Sequence, residues 1–190
     1  MNLEEFKSTK AYKYAEWCIN KDNKCVNKYI KILCNNFIYE INNQEKIDYF
    51  FDLQMAEKLV KLMKIINFAT GSVAGQSFYS TGVGYQHFLF FNLFCWKEKS
   101  DRQKRRYETV ILHIARKNSK TVLVSMMFIL LMLLEPRYSQ FYSGSNTREQ
   151  AKIIFNDTKK IIECSPCLKK HFKILRDSIE CKICLLYTST

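Results

Sequence analysis

Lys120 and Thr121 are the two adjacent side chains of this sequence best suited to phosphate chemistry. They close a basic stretch, residues 115–121 (ARKNSKT), that follows one apolar run, 109–114 (TVILHI), and precedes another, 122–134. Strand, short loop, helix is the order in which a phosphate-binding loop is built. Backbone N–H groups and a helix N-terminus cradle the phosphates, a lysine reaches the outer ones, and a Ser or Thr hydroxyl ligates Mg²⁺. Lys120 fills the lysine's place and Thr121 the hydroxyl's. The full pattern, G-x-x-x-x-G-K-[ST], puts glycines where Ile114 and Ser119 stand, so the motif is incomplete. Ser119 matters more, because its side chain sits where the backbone must come close to a phosphate.

A second chemistry is open to the cysteines. Cys164-x-x-Cys167 and Cys181-x-x-Cys184, with 13 residues between the pairs, have a zinc-ribbon arrangement that could cage one tetrahedral ion, though the separation is slightly short. A small basic zinc-ribbon protein that binds nucleic acid is therefore the alternative reading. The last seven residues, 184–190 (CLLYTST), also read as a translated sequencing adapter, which would remove Cys184 from the set. His87, His113 and His171 have no partners at ligand or triad spacing. Asp157 and Glu163 lie beside lysines on an exposed helix face, and no Ser-His-Asp arrangement is visible.

Composition narrows the class. An apolar fraction of 47% with 14% aromatic residues excludes a disordered chain. Thirty Lys and Arg against eighteen Asp and Glu give +12, which suits a polyanionic partner, although an AT-rich coding sequence yields the same bias. The opening residues are charged and lack the apolar core of a signal peptide, so a reducing compartment and free thiols are expected. The run 122–134 is too short for a membrane span and reads as a buried helix, and no membrane partner is expected.

The elements that must hold the loop follow from periodicity. Residues 1–70 read as helices: a first short one with Leu3, Phe6 and residues 12–18, and a longer one with Val26, Ile30, Leu33, Phe37 and Ile41 inward. A third is capped by Asp52, with Met55, Leu59, Leu62 and Ile66 inward. Glycines at 71, 75, 82 and 84 mark a turn-rich connection, either a subdomain boundary or a mobile loop. Residues 85–96 are too aromatic to be a surface helix. Residues 97–106 (KEKSDRQKRR) read as a solvated loop in preference to a DNA-contact patch. After the loop and its helix, which ends at 135–137, residues 140–145 read as a second strand. Thr147-x-x-Gln150 is a capping box for a helix with Ala151, Ile154, Phe155, Thr158, Ile161 and Ile162 buried, stopped by Ser165-Pro166. The predicted fold is α/β: a helical N-terminal lead-in at 1–100, then the first half of a P-loop parallel sheet at 101–183.

Four blocks in order resemble the large subunit of the terminase of tailed bacteriophages. They are the N-terminal helices leading into GSVAGQSF, Tyr85-Gln86 followed by FLFFNLFCW, the loop ARKNSKT, and residues 141–162 (FYSGSNTREQAKIIFNDTKKII) with its Gln-Ala pair. Together they cover most of residues 10–166. The resemblance implies a P-loop ATPase using ATP and Mg²⁺, coupled in full-length proteins to a nuclease, that drives double-stranded viral DNA into a procapsid. It implies a portal protein and a terminase small subunit as partners, a homo-oligomer at full length, and the cytoplasm of an infected bacterium as location. By the same resemblance, Lys120 neutralises the β- and γ-phosphates, Thr121 holds Mg²⁺ through the nucleotide, and Arg116 acts on the γ-phosphate. Lys117, Asn118 and Ser119 complete the loop, while Gln86 reads the adenine with Tyr85 stacking nearby. The family's apolar run ending in Asp-Glu does not follow the loop in these residues, so the chain as given is expected to bind nucleotide without efficient turnover.

Overall fold

Side-chain caps set most of the helix starts. In the computed structural model, which describes residues 1–136 and 138–182, the order is α1 (Leu3–Lys7), α2 (Lys10–Ile19), α3 (Lys28–Asn42), β1 (Tyr49–Phe51), α4 (Leu53–Ile65), α5 (Phe78–Thr81), α6 (Gly84–Cys95), β2 (Trp96–Glu98), α7 (Lys120–Leu134), α8 (Arg148–Cys164), α9 (Pro166–Lys169), β3 (Phe172–Ile174) and β4 (Ile179–Cys181). Asn2 and Glu5 form a reciprocal capping box at α1. Asn27 Oδ1 accepts from Tyr29 N at 2.8 Å, and Asp52 Oδ1 from Met55 N at 2.9 Å. Each cap satisfies a backbone donor that the helix itself cannot. The chain divides into two compact units, Met1–Val60 with Gly82–Ile111, and Lys61–Thr81 with Leu112–Thr190.

An aromatic cluster fills the first unit. Phe6 meets Phe51 at 4.5 Å and Phe91 at 5.2 Å between ring centroids, Phe37 meets Phe88 at 5.0 Å, and Phe51 meets Trp96 at 5.3 Å. α6 supplies much of it, with Gln86, His87, Phe88, Phe90, Phe91, Phe94 and Cys95 all buried. α2 crosses α6 so closely that a Cβ on Gly84 would lie 2.8 Å from Tyr14 Cβ, which fixes glycine there. In α3 the buried residues are Cys34, Phe37 and Ile41, so Ile30 and Leu33 of the predicted inner face are exposed instead. In α4 the inner face is Ala56, Leu59, Val60 and Met63, continued by Ile66, while Met55 and Leu62 are only half-buried.

Residues 99–104 are exposed and irregular, as a solvated loop should be, but residues 97 and 98 belong to β2 and the segment is tied down at both ends. β2 pairs antiparallel with β1, and Lys97 bridges to Arg105 across a tight turn in which Glu98 N donates to Lys104 O at 3.0 Å. The charges are used internally: Lys97 pairs with Asp52 at 3.0 Å, Lys104 with Glu98 at 3.0 Å, and Arg106 with Glu40.

Burial pulls the Asp52 carboxyl up, but the Met55 and Gln54 N–H groups and the Lys97 ammonium outweigh it and hold it below the usual carboxylate value. A folded-state pKa below the unfolded one gives stability that is present above about pH 4 and lost as the pH falls through the lower folded value. The expected result is that Asp52→Asn lowers stability to urea at pH 7 and has a smaller effect at pH 3. An equal loss at both would show that the charge contributes nothing.

In the second unit α7 packs on α8, burying Leu123, Ser125, Met126, Ile129 and Leu130 against a face that includes Thr158, Ile161 and Ile162. Ser125 Oγ donates to Ile154 O at 3.3 Å, which ties the two helices by a polar contact within the apolar layer. The loop from Ile66 to Ser77 folds back on itself, with Phe68 N to Gln76 O at 3.0 Å and Gly75 N to Phe68 O at 2.8 Å. Gly71 and Gly75 take φ of 83° and 81°, which their lack of Cβ permits. Asn67 N donates to Ser165 Oγ at 2.8 Å and fastens this loop to the end of α8. The capping box at α8 is half made. Thr147 Oγ1 accepts from Gln150 N, but the Gln150 amide oxygen takes the Ser145 hydroxyl.

The α/β composition matches expectation, but the parallel sheet does not appear among the described residues. The two ladders present, β1–β2 and β3–β4, are both antiparallel. Residues 109–114 and 140–145, predicted as strands, pair with nothing there. The physical reason is that a strand is defined by its neighbour. An apolar run without ladder partners stays uncovered, and Ile111 is 89% exposed where a buried central strand was expected. Among the described residues no helix is long and apolar enough to cross a membrane.

Candidate functional site: a phosphate-binding loop at the start of α7

Residues 115–119 lead directly into α7, and two of them have an unusual backbone. Lys117 has φ 66° and Ser119 has φ 55°, ψ 24°, both in the left-handed region that non-glycine residues avoid. Ser119 is the N-cap residue of α7 and makes no side-chain cap bond, while its carbonyl accepts from Leu123 N at 2.9 Å. The first-turn N–H groups of α7 are thus left for a ligand, and the helix dipole favours a negative one.

Arg116, Lys117, Asn118, Ser119 and Lys120 are exposed and Thr121 is half-buried. No acid lies in the first turn of α7 to neutralise Lys120. Asn118 Nδ2 donates to Ala115 O at 3.4 Å and Arg116 O at 3.3 Å, long bonds that brace the loop on itself. The same segment holds three cations, two left-handed residues and a hydroxyl. Its base is rigid, since α7 is locked to α8 through the buried face and the Ser125 bond. That bond and the Asn118 brace had no signal in the sequence beyond residue type.

Tyr85 and Gln86 lie in the first unit. Tyr85 is half-buried in the first turn of α6. Gln86 is buried, and its Oε1 accepts from Val83 N at 3.1 Å, capping α6 from within. Val83 has no side-chain acceptor, so Gln86 supplies only its half of a capping box.

The zinc alternative finds no support. No group of three or more His, Cys, Asp or Glu among the described residues is placed to hold a metal. Cys164 gives its thiol to Phe68 O at 3.4 Å and Cys167 is exposed. Cys184 and the adapter reading of 184–190 lie outside the described residues.

The family described as "Terminase large subunit, ATPase domain" matches residues 84–185. No curated protein and no solved structure matches the chain. The match spans α6, the loop, α7, α8 and the β3–β4 hairpin, so the class of the chain is that of an ATPase domain. More narrowly, the chain belongs to the terminase large subunit family, through its ATPase domain.

Proposed function

We propose that this chain binds Mg·ATP on the loop 115–121 and serves as the nucleotide-binding part of a motor that packages viral DNA. The observation that carries this reading is the coincidence of left-handed Lys117 and Ser119 with an uncapped α7 N-terminus that begins at Lys120-Thr121. The helix end takes the β-phosphate. Lys120 places its ammonium on the β- and γ-phosphates, and Arg116 takes the charge that builds on the γ-phosphoryl group. The Thr121 hydroxyl would hold Mg²⁺, which would neutralise phosphate charge there. Phosphoryl transfer calls for cations and positioning more than covalent chemistry, and this segment is rich in both.

The wider role we propose is moving double-stranded DNA through a portal, with a small subunit as partner and copies of the chain assembled together; membership of the family supports it. The +12 charge is consistent with a polyanionic cargo. Calorimetric titration with Mg·ATPγS tests the site. Saturable binding of one nucleotide per chain is expected, and no binding at millimolar ligand overturns the reading.

Ser119 offers a graded test. A side chain in the left-handed region costs roughly 1–2 kcal/mol, and its Cβ stands where phosphate must approach. Ser119→Gly is expected to tighten Mg·ATPγS about three- to tenfold. Weaker binding by this variant would show that the serine hydroxyl itself contacts the ligand.

A further inference from the structure

The β3–β4 hairpin carries lysines that the fold around them does not neutralise. Its ladder runs past the two strands: Lys182 N donates to His171 O at 2.7 Å and Leu175 N to Ser178 O at 2.9 Å, in the register that sets Lys173 opposite Glu180. Side chains alternate along a strand, so Phe172, Ile174, Ile179 and Cys181 share one face, and His171, Lys173, Glu180 and Lys182 the other. Phe172 is buried and its three companions are half-buried, which makes theirs the inner face. On the outer one Lys173, Glu180 and Lys182 are exposed, as are Lys169 and Lys170, which close α9 just before the hairpin. Lys173 meets Glu180 only at 3.9 Å, a weak exposed pair. Among the described residues Lys169, Lys170 and Lys182 have no carboxylate within ion-pair distance. The lysines are held in place nonetheless, because buried Leu168 and Phe172 anchor the turn between α9 and β3, and Asp177 at the hairpin tip pairs with Lys152 of α8 at 2.8 Å.

We infer that this outer face, with Lys169 and Lys170, grips the phosphate backbone of double-stranded DNA. The choice of cargo rests on the packaging role proposed above; the charge and shape of the face supply the rest. Lysines at 169, 170, 173 and 182 against one glutamate suit a polyanion. Diagonal ladder positions such as Lys173 and Lys182 stand about 7–8 Å apart, so the charges spread into a row and form no pocket, which fits a repeating charge better than a single phosphate. The outer face shows no Phe, Tyr or Trp on which an unpaired base could stack, since Phe172 is on the inner one, and this disfavours a single strand. An acidic protein would need apolar contact at the centre of the patch, and Leu175 alone offers it there, at 37% exposed. Contacts to phosphate carry no sequence information, so the grip is indifferent to sequence. The basic residues at 97–106 do not compete for this role, because Lys97, Lys104 and Arg106 are paired with Asp52, Glu98 and Glu40.

Fluorescence anisotropy with labelled duplexes of about 20 base pairs, titrated at several salt concentrations, tests this. The chain is expected to bind with a Kd of roughly 1–100 µM, and two unrelated sequences are expected to agree within about threefold. The hairpin variant, Lys169→Gln with Lys170→Gln and Lys182→Gln, is expected to weaken binding at least about tenfold near 0.1 M salt and to make the slope of log K against log salt shallower by about 3. Lys21→Gln with Lys24→Gln and Lys31→Gln removes the same charge from another surface and is expected to change affinity by less than about threefold. Glu180→Gln removes the acid of the outer face and is expected to tighten binding about two- to threefold, a result that stands should the hairpin variant fold poorly. Mg·ATPγS binding is expected to stay unchanged in all three variants. Equal weakening by the two triple variants, no weakening by the hairpin variant, or no tightening by Glu180→Gln overturns the inference, and duplex binding that persists in such a case leaves the packaging role standing. A parent chain that binds no duplex overturns both and leaves the nucleotide site to its own titration. Tighter binding of oligo-dT or of a poly-glutamate peptide, lost in the hairpin variant, also overturns it.

Discussion

Replacing Lys120 with Ala is expected to remove measurable Mg·ATPγS binding while leaving the melting temperature unchanged. Lys120 is the first residue of α7, exposed, and without an acidic neighbour in that first turn, so its positive charge is available to a ligand. A charge-assisted bond to phosphate contributes about 1.5–3 kcal/mol, and in the proposed site Lys120 would reach two phosphates, so a weakening of a hundredfold or more is expected. Lys120→Arg keeps the charge but carries a larger planar head into a tight loop, and an intermediate loss is expected. Calorimetry with matched thermal melts separates a lost contact from a lost fold. Binding unchanged in Lys120→Ala would remove the phosphate loop assignment and leave the family match without its site.

What the sequence made legible was local. Asp52 and Thr147 act as N-caps, Ser165-Pro166 ends α8, and residues 84–95 are buried on nearly all sides, because each depends on neighbours a few residues away. The loop was legible from RKN before SKT, and its left-handed residues were foreshadowed by the missing glycine at Ser119. The face of α4 was read one residue off, because Ala56, too small to stand out in an apolar pattern, is a buried position while Met55 is not. The outward stripe of α3 was hidden for the converse reason: isoleucine, leucine and tyrosine look like core until something is found to cover them. The strands failed at 109–114 and 140–145, since β structure is a property of pairs and the described residues supply no partner. What was not legible in 97–106 was the pairing at its two ends, because Asp52 and Glu40 are remote in sequence; Glu40 lies 66 residues from Arg106.

That remote pair carries the second large effect. The Arg106 guanidinium gives two bonds to Glu40, 2.6 and 2.9 Å long, and lies 4.7, 5.4 and 5.2 Å from the centroids of Tyr49, Trp96 and Tyr107. Both side chains are only about one-fifth exposed. Glu40→Ala leaves a cation among three rings without its counter-ion, and such a break costs about 3–5 kcal/mol when fully buried. Partial exposure reduces that to roughly 2–3 kcal/mol, a fall of about 5–10 °C in melting temperature for a chain of this size. The double variant Glu40→Ala with Arg106→Met removes the stranded charge and keeps an apolar stem against the rings, so it is expected to recover most of the loss. Urea denaturation of the two single variants and the double one measures the coupling. A cost below about 0.5 kcal/mol for Glu40→Ala would mean that the pair behaves as a surface ion pair. A large cost shows that the pair ties α3 to the segment that follows β2.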